Sequence, residues 1–211
     1  MHATRHHLSL FQLTVTAGDS QTLEPCFRTF WVSNGSLSIN GTNLEQGDYF
    51  TSNDPALICG DVTQSAHLLY FEITPNDSPV SNVAVLAETL VFDPNASLLR
   101  LDRVDFPPSA VAYRHVHAGA GIRYLLKGKL TLNTDHGSLD MVSESAWFEA
   151  ENSPVEAHAD AECETAFLRC MVIPRAFENR STFQLCNPAD ADKPRRQTTH
   201  RYFDAPFKAD L

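Results

Sequence analysis

The sequence predicts a chain that is almost entirely β, built from two similar units in tandem and ending in an arm. Three observations carry this. Short segments dense in β-branched and aromatic residues recur between turn signals. Stretches with helical periodicity are few. The order of segments seen in the first half also returns 93 to 99 residues later.

In chain order, residues 27–32, 37–39 and 68–73 read as strands of the first unit. Residues 98–104, 122–126, 129–132, 146–148 and 166–173 read as strands of the second. Asn34-Gly35, Asn40-Gly41, Gln46-Gly47 and Lys127-Gly128 fall between them, where a tight turn needs a residue tolerant of positive φ. Around residues 80–90 apolar residues cluster without alternation, so one or two helical turns are expected there. Phe30-Trp31-Val32-Ser33-Asn34-Gly35 lies over Arg123-Tyr124-Leu125-Leu126-Lys127-Gly128 at an offset of 93. Asp54-Pro55 lies over Ser153-Pro154, and Thr74-Pro75 over Ile173-Pro174, at an offset of 99. The six extra residues are assigned to an enlarged hairpin at 134–138, since turns absorb insertions at little entropic cost. The expected organisation is a first unit over 1–78, a partly helical linker over 79–97, a second unit over 98–175, and an arm over 176–211 that packs on a barrel or on a partner subunit.

Composition narrows the function. With 43% hydrophobic residues in 211, the chain can bury a substantial core. Sixteen basic against 26 acidic residues give a net charge of -10, which disfavours nucleic acid and anionic membrane surfaces as partners. No apolar run reaches the ~18 residues of a membrane span, and the first residues lack the apolar core of a secretory signal, so a cytoplasmic location is expected. Five cysteines without a Cys-x-x-Cys pair argue against a disulfide framework or a zinc ribbon.

His115-Val116-His117, followed by Gly121-Ile122-Arg123-Tyr124-Leu125-Leu126-Lys127-Gly128, is similar to the first motif of the cupin superfamily: His-x-His, a few residues, Glu, then an apolar strand closed by a Gly turn. Ser153-Pro154-Val155-Glu156-Ala157-His158 resembles the second motif more loosely. The resemblance covers residues 98–174 well and 8–75 more weakly. It implies an all-β bicupin, two tandem jelly-roll-like β-barrels with a C-terminal arm. It also implies a divalent transition metal such as Fe, Zn, Ni or Mn, held by His115, His117 and His158. In a strand, residues two apart share a face, so His115 and His117 both project into a barrel. The Glu of the first motif is replaced by Gly121. A three-His sphere of that kind resembles cupin thiol dioxygenases, and Glu149 or Glu156 are the alternative donors. The same offsets place Thr22, Glu24 and Cys59 in the first unit, a poor ligand set. That barrel is therefore expected to be structural, with Cys59 a packing residue.

Arg123 shares a face with Gly121, which puts a guanidinium in the pocket. It reads either as a clamp for a substrate carboxylate or phosphate, or as the partner of Glu149, Glu156 or Asp140. Tyr113 is the candidate pocket aromatic assigned with it to substrate handling, while Trp147 reads as core. His2, His6, His7, His67, His136 and His200 read as surface or satisfied core residues, and the charge cluster over 190–196 as a solvated part of the arm. The expected function is a metal-dependent cupin enzyme, dioxygenase-like, acting on a small anionic metabolite. The alternative is a non-catalytic small-molecule-binding bicupin with a decayed metal site. A homodimer is expected in either case.

Overall fold

The computed structural model describes residues 3–79 and 81–207. His2, Val80 and residues 208–211 lie outside it, and with them one end of the expected helical turn. The chain divides into two compact units that meet at Val91/Phe92. The first contains β1 (Thr4–Val15), β2 (Ser20–Leu23), β3 (Phe27–Asn34), β4 (Ser36–Ile39), β5 (Thr42–Glu45), β6 (Tyr49–Ser52), β7 (Ala56–Gly60), β8 (Ala66–Pro75) and β9 (Leu86–Phe92). Its sheets run β6-β3-β8-β1-β9 and β2-β7-β4-β5.

The second unit holds β10 (Ser97–Phe106), β11 (Val111–His117), β12 (Ala120–Lys127), β13 (Lys129–Thr134), β14 (Gly137–Val142), β15 (Ala146–Glu149), β16 (Val155–Ala159), β17 (Thr165–Pro174), β18 (Phe183–Leu185) and β19 (Thr198–Pro206). Its sheets run β15-β12-β17-β10-β19 and β14-β13-β16-β11-β18. The arm is thus built into this unit: β18 pairs with β11 and β19 with β10.

The repeat holds at the level of register. An offset of 93 carries the first residues of β3 and β4 onto those of β12 and β13, and 99 carries β7 and β8 onto β16 and β17. Cys59 sits opposite Ser20 and Ser38 as His158 sits opposite Val111 and Thr131. Gly35 and Gly128 both turn at positive φ, 79° and 80°. An added Cβ would press on Ser65 O at 2.7 Å in one and Glu164 O at 2.5 Å in the other, so both turns need glycine for space as well as conformation.

Three expectations are corrected here. Where a helical turn is expected over 80–90, the structure has an isolated turn closed by Ala84 N donating to Ser81 O and then edge strand β9, with Leu90 and Phe92 buried and Val91 exposed. A half-exposed edge against β1 does not need clean alternation, so the clustering was misread as helical. Among the described residues of the former linker, the only helical piece is the 3-10 turn Pro94–Ala96. The insertion is also split. By β6 and β15 the offset has reached 97 (Tyr49 to Ala146), and the rest enters before β16. Ahead of β3 and β12 the offset is smaller: Ser20, opposite Cys59, corresponds to Val111, opposite His158, and after one extra residue in β11 between Ala112 and His115, Leu23, opposite Ala56, corresponds to His115, opposite Val155. Thr22 is therefore not its counterpart.

Candidate functional site

The five-stranded sheet of the second unit sets its inward face by register. One row across it reads Trp147, Arg123, Arg169, Asp102 and Arg201, each directly opposite the next. The next inward row reads Glu149, Gly121, Met171, Arg100 and Asp204. All of the first row, with Glu149 and Arg100, line a cavity of about 250 Å³. That is slightly below the roughly 300–1,000 Å³ of common ligand pockets, a size for a small metabolite.

The corresponding row of the first barrel is Phe50, Phe30, Tyr70 and Phe11. There Phe11 stacks on Tyr70 with centroids 4.8 Å apart, and Phe30 meets Tyr70 at 5.5 Å. Close-packed rings fill one barrel where charged side chains hold the other open.

The charges of the second barrel are mostly paired. Asp102 accepts from Arg169 Nε and Nη2, both at 2.8 Å. Asp204 accepts from Arg100 Nε at 2.6 Å and Nη2 at 2.7 Å, and the same guanidinium caps Phe177 O and Arg180 O. Arg123 is 1% exposed and meets Glu149 Oε2 at 2.8 Å. Glu149 also accepts from Trp147 Nε1. Arg123 and Arg169 stand directly opposite each other on adjacent strands, an arrangement that repels unless an anion intervenes. Burial, offset by Glu149 and reinforced by Arg169, pulls Arg123 down to about 10, so it stays charged at neutral pH.

His115 and His117 both reach this cavity from β11. His115 donates from Nδ1 to Tyr113 O at 2.8 Å and stacks on Phe183, with centroids 4.2 Å apart. Arg169 Nη1 donates to His117 Nε2 at 3.1 Å. A guanidinium only donates, so Nε2 is unprotonated and the proton sits on Nδ1, facing Thr182 Oγ1 at 3.1 Å. Burial lowers His115 to about 4 and His117 well below its usual range.

These buried neutral imidazoles have a pH signature. His115 binds a proton more readily in the unfolded chain, near 6.5, than in the folded one, so stability rises with pH between about 4 and 6.5. From pH 7 to pH 5 this residue alone is expected to remove about 2 kcal/mol. Urea unfolding of wild type and His115→Gln at both pH values measures it. An equal acid loss in the variant would refute the assignment.

Other site expectations are corrected by strand parity. Val155 and Ala157 of β16 line the cavity, so Glu156 and His158 point to the opposite face. There His158 Nε2 lies 2.7 Å from Glu156 Oε1. The loose match after Pro154 put His158 on the wrong face. Tyr113 is also turned away from the cavity, with Lys193 Nζ 4.6 Å above its ring. Of the two proposed substitute carboxylates, Glu149 enters the pocket and Glu156 does not.

The residues present do not fit a bound metal. Among the described residues no group of three or more His, Cys, Asp or Glu side chains is arranged to hold one. The place where a metal would bond His117 Nε2, at about 2.0–2.1 Å, faces the guanidinium of Arg169, which Asp102 holds from behind. Gly121 has no room for the missing Glu, since a Cβ would collide with Cys170 O and lie 2.7 Å from Met171 Cα.

Sequence reasoning passed over Asp102, Arg169 and the arm's Arg195, Gln197 and Arg201. Arg169 carried a signal, a lone charge within an otherwise apolar strand, whereas Asp102 stands among Arg100, Arg103 and Asp105. The arm residues carried none, because their placement depends on β19 joining β10. The segment over 190–196 is likewise not simply solvated: Asp190 is buried and Arg195 lies over the Phe183 ring at 4.5 Å.

No protein-family model and no curated protein matches the sequence. Solved structures do match. An oxalate decarboxylase from Lactobacillus farciminis superposes with TM-score 0.64 at 11% identity, over 90% of this chain and 82% of that one. Salicylate 1,2-dioxygenase from Pseudaminobacter salicylatoxidans gives 0.56 at 8%, over 78% and 70%. A cupin 2 conserved barrel domain protein from Leptotrichia buccalis gives 0.50 at 14%, over 79% and 84%. At these identities the likeness is one of fold, and the fold is that of the cupins, as two tandem barrels.

Proposed function

We propose that this cupin-fold chain binds one small anionic organic molecule in the cavity of its second barrel, and that it does so without a metal ion. The carrying observation is Arg169 Nη1 donating to His117 Nε2 while Asp102 grips the same guanidinium. That contact places a fixed organic cation where a metal-dependent cupin would need its ion. A guanidinium supplies positive charge and hydrogen bonds to a carboxylate but no open coordination position. The dioxygenase-type reading requires a third donor, and His158 points away from the cavity. Recognition of an anion by arginines is the chemistry left, as in the non-catalytic alternative.

Metal content of untagged protein tests this. After exposure to Fe, Zn, Ni and Mn salts and desalting, the metal retained is expected to be far below one per chain and unchanged in a His115→Ala/His117→Ala variant. One metal per chain that the double variant loses would overturn the proposal and restore the metal-enzyme reading.

A further inference from the structure

Resting on the small-anion reading above, we propose that the C-terminal arm provides the anion's recognition, and that the ligand is an amphiphilic monocarboxylate. Its acidic end meets Arg201, Gln197 and Arg195, and its apolar body lies in the barrel against Trp147, Phe167 and Leu130.

The charge ledger of the cavity points to the arm first. The barrel's own arginines are each matched: Arg169 with Asp102, Arg123 with Glu149 and Arg100 with Asp204. The cations without a close carboxylate are Arg195 and Arg201, the latter donating from Nη2 to Arg180 O at 3.1 Å. Arg201 Nη1 comes no closer than 3.8 Å to Asp204 Oδ2, an oxygen that already accepts from Arg100 and from Asn179 N. Arg195 pairs with no carboxylate among the described residues and lies over Phe183, which in turn stacks on His115. A net positive pocket in a chain of charge -10 is therefore a product of its last strand and the segment before it.

Unsatisfied polar atoms point the same way. Arg201 Nε and Gln197 Oε1 are buried without a hydrogen-bond partner, and both residues line the cavity. Arg123 Nη2 is a third such atom, since its contact with Glu149 lies off the hydrogen-bond line. Buried polar atoms pay the whole cost of desolvation when unpaired, so a bound molecule that meets them gains most there. Gln197 can present its oxygen or, after a half-turn of the amide, its NH2 group to a carboxylate beside Arg201.

The far side of the cavity excludes a second charge. The next inward positions of the sheet are Val104 and Phe167, followed by Phe106, and Leu130, Leu132 and Ala157 face them. A second carboxylate would be buried there without a donor, whereas a hydrocarbon or aromatic body gains by leaving water.

Titration calorimetry on the full chain with hexanoate, hexan-1-ol, succinate and inorganic phosphate tests the proposal. Hexanoate is expected to bind at least tenfold tighter than the other three. Arg201→Met and Gln197→Leu are each expected to weaken hexanoate at least tenfold while leaving hexan-1-ol unchanged. Gln197 lies outside the strands, and unchanged thermal midpoints confirm that both variants are folded. Hexanoate affinity unaltered in both variants would overturn the arm's role while leaving the small-anion reading intact. Tighter binding of succinate or phosphate would overturn the amphiphile. If none of the three anions binds the wild type, the small-anion reading itself fails.

Discussion

Replacing Asp204 with alanine is expected to lower stability by about 3–5 kcal/mol, the loss that follows when one partner of a buried ion pair is removed. Arg100 and Asp204 are among the most enclosed charges in the second unit, with side chains 1% and 2% exposed. Without the carboxylate, the guanidinium keeps its bonds to Phe177 O and Arg180 O but has no counter-charge. Asp204 also accepts from Asn179 N, so the variant loosens the turn that leads into the arm. Urea unfolding followed by tryptophan fluorescence reads the effect, and a loss below about 1 kcal/mol would refute the role given to this pair. The pair is also acid-sensitive. Although burial opposes it, the bonds from Arg100 and Asn179 hold the Asp204 carboxyl below its usual range. Its contribution is thus present above the unfolded value and lost as pH falls through the folded one.

Asp102→Leu is expected to cost a similar 3–5 kcal/mol, because it strands Arg169 beside Arg123. The double variant Asp102→Leu/Arg169→Met removes both charges and is expected to recover most of that loss, since a buried pair is worth little over apolar groups of similar size. Binding separates this from simple packing. With Asp102 absent, Arg169 is free to seek another anion, and hexanoate affinity is expected to rise about tenfold in Asp102→Leu, or 1.4 kcal/mol. In the double variant, which removes a matched pair, it is expected to return to near the wild-type value. Unfolding curves and calorimetry on wild type, both variants and Arg169→Met complete the cycle. Weaker hexanoate binding in Asp102→Leu would show that Arg169 does not compete for anions.

The strands around the histidine motif were legible because local sequence encodes the alternation of faces. His115, His117 and Arg123 were placed inward from spacing together with the cupin resemblance, and all three line the cavity. His158 failed on the same rule, because parity is only as good as its starting point and the match after Pro154 was loose. Of the two readings of Arg123, the contact with Glu149 is present, and the ladder explains it: Glu149 stands opposite Gly121, two residues from Arg123. The smaller offset ahead of β3 could not be seen in the sequence, and it makes Leu23 rather than Thr22 the counterpart of His115.

The sequence by itself determined a duplicated all-β chain, the glycine turns at Gly35 and Gly128, and a buried arginine in the second unit. These follow from properties a few residues long: strand period, tolerance of positive φ and the cost of burying charge. Only the tertiary structure decided which charges neutralise one another. Arg169 meets Asp102 across 67 positions of sequence and Arg100 meets Asp204 across 104, because antiparallel register brings them together. The same register carries Arg201 of the arm to the end of the charged row. An ion pair is a property of distance in space, and it leaves the last arginine of the row without a carboxylate to itself.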